Sequence, residues 1–285
     1  MAMFLRVWRA LPAILLVMWA APLRAQQRPL VTEDPETIGA GRVLIEGGID
    51  YAHDQRYPVS GLEGNLWRVP TLGVSIGISS IAELQIDGSP FTRLKIAKRG
   101  PAPLSSMLTV SGDSTHDVED IVIGTKIRLL PESPRHPAFG LRFATKLPNA
   151  MNESGLGIDT TDFFASLLVA KTVESIRVVG NIGVGILGDP TNGARQNDDL
   201  TYGLSFARAA TNHAEVVGEL NGRVSTRRGA ALPGTESRGL LKLGGRYTRG
   251  PVRFDAGLFF GLTTIDPTIG VTAGFTYVFT GFTLP

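Results

Sequence analysis

From Arg42 to the C-terminus, apolar side chains alternate with polar residues or glycine over segments of about 10 to 13 residues. In the first segment Val43, Ile45 and Ile49 share one face, and the charged Glu46 and Asp50 occupy the other. A period of two is typical of β-strands, whose successive side chains point to opposite faces. The pattern predicts twelve strands, at 42–53, 67–78, 82–97, 117–130, 138–147, 160–171, 176–187, 199–209, 214–225, 237–247, 251–262 and 268–280.

The third of these strands contains Gly88-Ser89-Pro90. Proline cannot donate to a strand ladder, and glycine weakens a strand interior. The tripeptide therefore predicts a bulge or an exit from the membrane at this point.

The connections between the strands alternate in length. Long connections are predicted at 54–66, 98–116, 148–159, 188–198 and 226–236, and short ones at 79–81, 131–137, 172–175, 210–213 and 248–250; the last outer loop, 263–267, is brief. Short turns at one end and long loops at the other are typical of outer-membrane barrels. The chain is therefore predicted to be all-β, a single transmembrane antiparallel up-and-down β-barrel of about 12 strands, with both termini on the periplasmic side.

The distribution of charge separates a barrel in lipid from a soluble β-sandwich. The apolar face of the strands carries charges only near strand ends, at Arg68, Glu119, Lys171 and Arg208. The opposite face is charged through the middle of the strands, and the strands match the roughly 9–11 residues of a tilted spanning strand. A sandwich would leave the charged face in water, but its strands are usually about half as long. The apolar face is therefore predicted to meet lipid.

The charged face is predicted to line the lumen. Its residues are Arg42, Glu46, Asp50, Glu83, Asp87, Asp120, Lys126, Arg128, Arg142, Lys146, Asp162, Arg177, Glu215, Glu219, Arg223, Lys242, Arg246, Arg253 and Asp255. Because acids and bases are nearly balanced, we expect cross-strand ion pairs. Two interpretations stay open: the pairs fill a narrow barrel, or they line a small channel whose basic inner end favours anions or polar aromatics.

Residues 1–25 read as a secretory signal peptide, with Arg6 and Arg9 before an apolar core and Ala25 before the cleavage point at Gln26. The alternative is a short membrane anchor, although the apolar run is too short to span a bilayer. Residues 26–41 are predicted to be a periplasmic N-terminal segment, and 42–285 the outer-membrane barrel. The predicted location is the bacterial outer membrane, after export and cleavage.

Composition narrows the function classes. The 285-residue chain has a net charge of +2, and the three arginines of residues 1–25 account for this excess, so no nucleic-acid partner is expected. The absence of cysteine excludes a disulfide framework, thiolate catalysis, iron–sulfur clusters and a lipoprotein anchor. The expected partners are outer-membrane lipid, the barrel-assembly machinery and small solutes.

The last strand ends in TAGFTYVF, which is similar to the assembly signal of bacterial outer-membrane proteins. The positions that carry the similarity are Thr272, Gly274, Tyr277 and Phe279. The alternative is a last spanning strand with interfacial aromatic residues, and both interpretations can hold together. Most such proteins end at the final aromatic residue, whereas TGFTLP follows here.

Two catalytic patterns occur in the wrong context. Gly73–Gly77 fits GxSxG around Ser75, but a nucleophile elbow needs a strand, a sharp turn and a helix. Gly183–Gly188 fits GxGxxG, but a turn follows it where a dinucleotide site needs a helix. The four histidines lack metal-ligand spacing. The sequence therefore predicts no enzyme, no cofactor and no metal site.

Four stretches carry a resemblance to a known family: LVTEDPETIGAG, DIVIGTKIRLLPE, LRFATKLPNA and GVTAGFTYVF. Across almost the whole mature length, the chain resembles the MetA-pathway phenol-degradation family of outer-membrane β-barrel proteins. The resemblance implies an outer-membrane barrel with a transporter-like channel role for aromatic or apolar compounds. It supplies no catalytic residues.

The predicted function is an outer-membrane, porin-like channel for the passive passage of small solutes, with aromatic or apolar compounds as candidates. One alternative is a structural or loop-mediated interaction barrel whose lumen is sealed by side chains or by residues 26–41. The other is a lipid-modifying outer-membrane enzyme, which would need a Ser–His pair at lipid-facing depth.

Overall fold

The structure is a computed structural model that describes residues 28–283. The predicted signal peptide and its cleavage point lie outside the described residues. The strands are β1 (Arg42–Tyr57), β2 (Leu62–Gly77), β3 (Ala82–Gly88), β4 (Thr92–Arg99), β5 (Ser114–Asp117), β6 (Val122–Leu130), β7 (Ala138–Lys146), β8 (Asp162–Val173), β9 (Ile176–Gly188), β10 (Gln196–Ala209), β11 (Ala214–Ser225), β12 (Arg238–Arg249), β13 (Val252–Gly261) and β14 (Ile269–Thr280). Two single 3-10 turns lie at Ser105–Met107 and Asn152–Ser154. Between residues 28 and 283, no helix is long and apolar enough to cross a membrane.

The sheet closes on itself because β1 pairs with both β14 and β2. The third and fourth positions in the wall are each divided into two strands: β3 and β4 both pair with β2, β6 pairs with β3, and β5 pairs with β4. The prediction of a twelve-stranded antiparallel barrel is therefore confirmed. Closure gives every strand two neighbours, which removes the unpaired edges that lipid cannot solvate.

The division of the third strand falls at residues 89–91 and so overlaps the predicted interruption at Gly88-Ser89-Pro90. Single hydrogen bonds hold the wall together across the break, from the Val69 amide to the Phe91 carbonyl (3.0 Å) and from the Glu119 amide to the Ser89 carbonyl (2.8 Å). Proline at position 90 has no amide hydrogen to donate, so the ladder is interrupted where it stands.

The prediction of a long outer loop at 54–66 is wrong. β1 and β2 continue through most of that range and are joined by residues 58–61 alone. The turn closes with a hydrogen bond from the Gly61 amide to the Tyr57 carbonyl (2.8 Å), and Gly61 has a φ of 77°. Glycine adopts this left-handed conformation at no steric cost, which allows so tight a connection.

The register between β1 and β2 shifts by one residue near the middle of the barrel, since Gly48 pairs with Thr71 but Asp50 pairs with Arg68. A one-residue slip exchanges the two faces of a strand. Trp67 therefore lies on the outer surface, 46% exposed, with its ring 4.8 Å from that of Tyr51. Arg68 turns to the lumen and contacts Glu119 at 3.0 Å, which corrects the prediction that both charges lie on the lipid-facing side.

The outer surface of the wall is apolar. On three different strands, the outward side chains are more than half exposed: Ile182 and Val184 on β9, Leu204 on β10 and Phe254 on β13. Such a contiguous apolar surface marks contact with lipid or protein. Apart from the connection at 58–61, the long and short connections alternate between the two ends as predicted, so we name the end with the short turns periplasmic and the other extracellular.

Candidate functional site: the barrel lumen and its N-terminal segment

Residues 28–41, which we name the N-terminal segment, run inside the barrel. Gly41 lies at the periplasmic end, where its carbonyl accepts hydrogen bonds from the amides of Gly281 (2.9 Å) and Phe282 (3.2 Å). Ile38 is buried there against Leu44 and Val278. Followed backwards along the chain from Gly41, the segment runs into the lumen as far as Arg28. The expectation of a segment on the periplasmic side of the barrel is thus corrected for the described part of it, residues 28–41.

The carboxylates of the N-terminal segment pair with cations of the wall. Glu33 contacts Lys126 (3.4 Å) and Arg142 (3.1 Å). Asp34 contacts Arg177 (2.7 Å), and Glu36 contacts Arg128 (2.6 Å). These three acids supply the physical reason for the inward course, because charges in a lumen of low dielectric are costly unless they are paired.

The backbone of the segment is satisfied by polar side chains of the wall. Glu219 accepts hydrogen bonds from the amides of Val31 (2.9 Å) and Thr32. Asn181 accepts from the Glu33 amide (2.7 Å) and donates to the Glu33 carbonyl (2.8 Å). A buried segment outside any sheet needs such acceptors and donors for its peptide groups.

Arg28 crosses to the other side of the lumen. Its guanidinium donates to the Thr71 hydroxyl (2.9 Å) and the Thr272 hydroxyl (3.1 Å), and it contacts Asp255 at 3.4 Å. Its carbonyl accepts a hydrogen bond from Arg246 (2.7 Å). The segment therefore joins the β6–β9 wall to the β13–β14 wall.

The remaining predicted lumen residues form cross-strand pairs or reach no close partner. Lys146 contacts Asp120 (3.2 Å) and Asp162 (2.9 Å). The other pairs are Lys126 with Glu83 (3.0 Å), Arg223 with Asp199 (3.3 Å), Arg142 with Asp87 (3.9 Å), Lys242 with Glu219 (3.9 Å), and both Arg246 (3.8 Å) and Arg253 (3.7 Å) with Glu215. Glu46 accepts from the Arg28 amide, Asp50 lies opposite Arg68 in the β1–β2 register, and Arg42 begins β1. Several ion pairs expected between strands are thus made to the N-terminal segment instead.

The proposed assembly-signal residues have contacts of their own in the folded chain. Thr272 and Gly274 meet Arg28, since a β-carbon at Gly274 would lie 2.6 Å from the Arg28 Nε. The rings of Tyr277 and Phe279 are stacked, with centroids 5.5 Å apart. These contacts give the four residues a role in the folded barrel, and the assembly role stays a prediction.

A cavity of about 700 Å³ lies in the lumen, with Arg28–Glu33 of the segment along one side. Apolar residues on inward strand positions contribute to its lining, namely Phe164, Leu168, Leu240 and Phe259. Its charged lining includes Arg68, Arg142, Arg223, Arg238, Lys242, Glu46, Asp50, Asp87, Glu119 and Asp266. The space is within the usual size range of sites for small organic molecules, about 300–1,000 Å³.

The catalytic-looking motifs lie in strands. Ser75 sits within β2, opposite Leu44 on one side and Gln85 on the other, and Gly183–Gly188 belongs to β9. Among the described residues, no group of three His, Asp or Glu could hold a metal ion. Because both motifs lie inside strands, neither forms the strand–turn–helix geometry that a nucleophile elbow or a dinucleotide site requires.

Sequence reasoning missed the inward course of the N-terminal segment. Two signals were available, and the first is that several glycines on inward strand positions leave room for the segment. A β-carbon at Gly203 would lie 2.7 Å from the Thr32 hydroxyl, and one at Gly140 would lie 3.1 Å from the Pro35 Cβ. The second signal was the group of acids in the TEDPE stretch, which can pair with basic residues of the wall.

The fold is shared with solved outer-membrane proteins. An outer membrane channel from Pseudomonas putida F1 is 12% identical, with a TM-score of 0.60 over 86% of this chain and 98% of that one. The NanC porin is 5% identical, with a TM-score of 0.53 over 82% of this chain and 98% of its own. No protein-family model and no curated protein matches the sequence. The chain thus has the fold of bacterial outer-membrane barrels, and this likeness establishes architecture alone.

Proposed function

We propose that the protein is an outer-membrane channel for the passive passage of small solutes, of the kind implied by its resemblance to the MetA-pathway phenol-degradation family. The observation that carries the proposal is the cavity of about 700 Å³ inside a closed wall. A barrel serving only as a scaffold gains nothing from such a space, because unfilled volume forfeits packing contacts. Lipid around the wall and the barrel-assembly machinery are the partners that such a channel needs.

Passage through the periplasmic half depends on the N-terminal segment. Its described residues form no helix or strand, and polar contacts to the wall predominate. Water or a polar solute can replace such contacts one at a time, whereas a packed apolar plug would have to leave as a unit. The segment is thus the element that sets how wide the inner half of the path is.

Locking the segment to the wall tests this role. A β-carbon at Gly203 would lie 3.4 Å from the Thr32 Cβ, close to the roughly 3.5–4.5 Å between the β-carbons of a disulfide. The natural chain has no cysteine, so Thr32→Cys with Gly203→Cys introduces a single defined pair. Single-channel conductance of the refolded protein should fall on oxidation and recover with a reducing agent.

The matched control is Thr32→Cys alone, whose conductance should not respond to oxidation. Equal conductance of the oxidised and reduced double variant would show that solutes pass without any movement of the segment. Absence of current from the natural protein under all conditions would overturn the channel function itself.

A sealed structural barrel is the second candidate. It is favoured by the ion pairs of Glu33, Asp34 and Glu36, which hold the segment across the lumen. This candidate predicts no current from the natural protein and none after reduction of the double variant. The lipid-modifying alternative has less support, because His53 lies in an outer strand end and His213 in a periplasmic turn, away from the lipid-facing middle of the wall.

A further inference from the structure

Two cations of β12, Arg238 and Lys242, line the cavity and make no ion pair shorter than 3.9 Å with the described residues. The side chain of Arg238 makes no hydrogen bond or ion pair with any of residues 28–283, and the carboxylates of Asp266 and Glu236 attract it only from beyond ion-pair distance. Lys242 reaches one carboxylate in this range, that of Glu219 at 3.9 Å, which already accepts hydrogen bonds from Val31 and Thr32. Wall cations elsewhere, such as Lys126 and Arg177, have carboxylates much closer. Desolvated cations without partners are costly, which makes these two the available ligands for an anion.

The surface between the two cations is apolar. Leu240 lies between them on the same inward face of β12, and Phe259 is the cross-strand neighbour of Lys242. Phe259 is 7% exposed and packs with the apolar cluster at the extracellular end. Large apolar side chains on the inward face of a polar lumen suit the body of an organic molecule better than a passing hydrated ion.

The reach of the side chains allows both cations to meet one anion. Residues four apart on a strand are separated by roughly 13 Å, and long basic side chains can close much of that gap from each side. An anionic group lying over Leu240 is therefore within reach of Arg238 and Lys242 together. The hydrogen bonds from these two side chains to the anionic group would be charge-assisted, and such bonds are stronger than those between neutral groups.

The acids that line the same cavity are mostly engaged. Glu119 pairs with Arg68 at 3.0 Å, and Glu46 accepts from Thr276 at 3.0 Å. Asp266 accepts hydrogen bonds from the Gly239 amide (2.9 Å) and from Thr263, and Asp87 lies 3.9 Å from Arg142. Asp50 is the exception, since one of its carboxylate oxygens is buried without a hydrogen bond.

We propose that this cavity binds a small organic monoanion with an aromatic or apolar body, its anionic group held by Arg238 and Lys242 and its body against Leu240 and Phe259. The inference rests on the proposed channel only for how the molecule arrives. The binding itself is an equilibrium property of the folded barrel and is measured separately from current.

Three probes that share one ring test the charge requirement: benzoate, benzyl alcohol and benzylammonium. Isothermal titration of the refolded protein, corrected for partition into empty detergent micelles, should show saturable binding of benzoate and at least tenfold weaker binding of the other two. Arg238→Gln with Lys242→Gln should weaken benzoate binding at least tenfold. The matched control is Arg227→Gln with Arg228→Gln, since these two arginines lie exposed in the loop between β11 and β12.

Stronger binding of benzylammonium would show that Asp50 dominates the cavity and would overturn the proposal. Equal binding of all three probes, no binding at all, or unchanged affinity in the Arg238 and Lys242 variant would overturn it as well. Current without benzoate binding would leave the channel function standing and reject this site. Benzoate binding without current would do the reverse, so the two failures are distinguishable.

Discussion

The guanidinium of Arg28 lies so close to the backbone of Gly48 that a β-carbon at Gly48 would overlap the Arg28 Nη2. On the neighbouring strand, a β-carbon at Gly274 would lie 2.6 Å from the Arg28 Nε. Two glycines on adjacent strands thus leave the space in which the only described cation of the N-terminal segment reaches Thr71 and Thr272.

Gly48→Ala should therefore displace Arg28 and crowd the Ala273 carbonyl, which would lie 2.7 Å from the new β-carbon. Because a closed barrel keeps its backbone hydrogen bonds in detergent, we expect the natural protein to stay folded in SDS until heated, and the variant to unfold at a lower temperature. The measurement is the temperature at which the folded band on a gel gives way to the unfolded one. Gly180→Ala is the matched control, since no atom lies within 4 Å of its β-carbon position. Equal midpoints for both variants would contradict the tight fit at Gly48.

Lys126 has no solvent exposure and lies between Glu83 (3.0 Å) and Glu33 (3.4 Å). Lys126→Met leaves the buried Glu83 without its cation and Glu33 with Arg142 alone, and breaking a buried ion pair in this way typically costs about 3–5 kcal/mol. Urea-induced unfolding in lipid vesicles should show this loss in the free energy of unfolding. Adding Glu83→Gln should restore part of it, because one uncompensated charge is removed. A Lys126→Met variant of normal stability would contradict the ion-pair network.

Val184 is 52% exposed on the lipid-facing side of β9. Val184→Arg should lower the free energy of unfolding in vesicles by roughly 2–4 kcal/mol, the usual cost of a midplane cation on a barrel surface. Val184→Leu, which keeps the surface apolar, should fold with a yield close to that of the natural protein. Similar yields of folded protein for the two variants would contradict the assignment of Val184 to the lipid-facing side of the wall.

Glu132 lies in the periplasmic turn between β6 and β7, where it accepts hydrogen bonds from the Thr172 amide (2.7 Å) and the Thr172 hydroxyl (3.1 Å). Burial raises the pKa of Glu132, but these hydrogen bonds and the attraction of Arg177 and Lys171 outweigh it and hold the pKa below its ordinary value of 4.5. A depressed pKa means that the carboxylate stabilises the folded state above pH 4.5, and that this contribution is lost as the pH falls through the folded value.

Glu132→Gln should therefore be less stable than the natural protein at neutral pH, and the difference should shrink below pH 4.5. The measurement is the thermal midpoint in a series of buffers from neutral to acidic. Asp198→Asn is a suitable control, since Asp198 stands at the extracellular end, far from this turn. A difference that stays constant across the series would contradict the role of the charged carboxylate.

Much of the fold follows from local pattern. The alternation of residues such as Val43 and Glu46 decides which side chains can face lipid, because a strand has a period of two wherever it is placed. The spacing of turn residues along the chain divides it into strand-length segments. The twelve strand positions of the wall and their up-and-down order can therefore be predicted from the sequence. The break at Gly88-Ser89-Pro90 is also predictable from local sequence, because proline has no amide hydrogen to donate to the ladder.

The tertiary structure alone decided the rest. Arg68 reached the lumen because of a one-residue shift in the pairing of β1 with β2, and register depends on the partner strand rather than on the strand itself. The inward course of Arg28–Gly41 likewise depends on cations contributed by β6, β7 and β9, which are distant in the sequence and become neighbours when the barrel closes. The sequence by itself determined the wall, since each strand carries its own two faces; what fills the lumen arises from pairwise contacts across it, which exist only once the wall is closed.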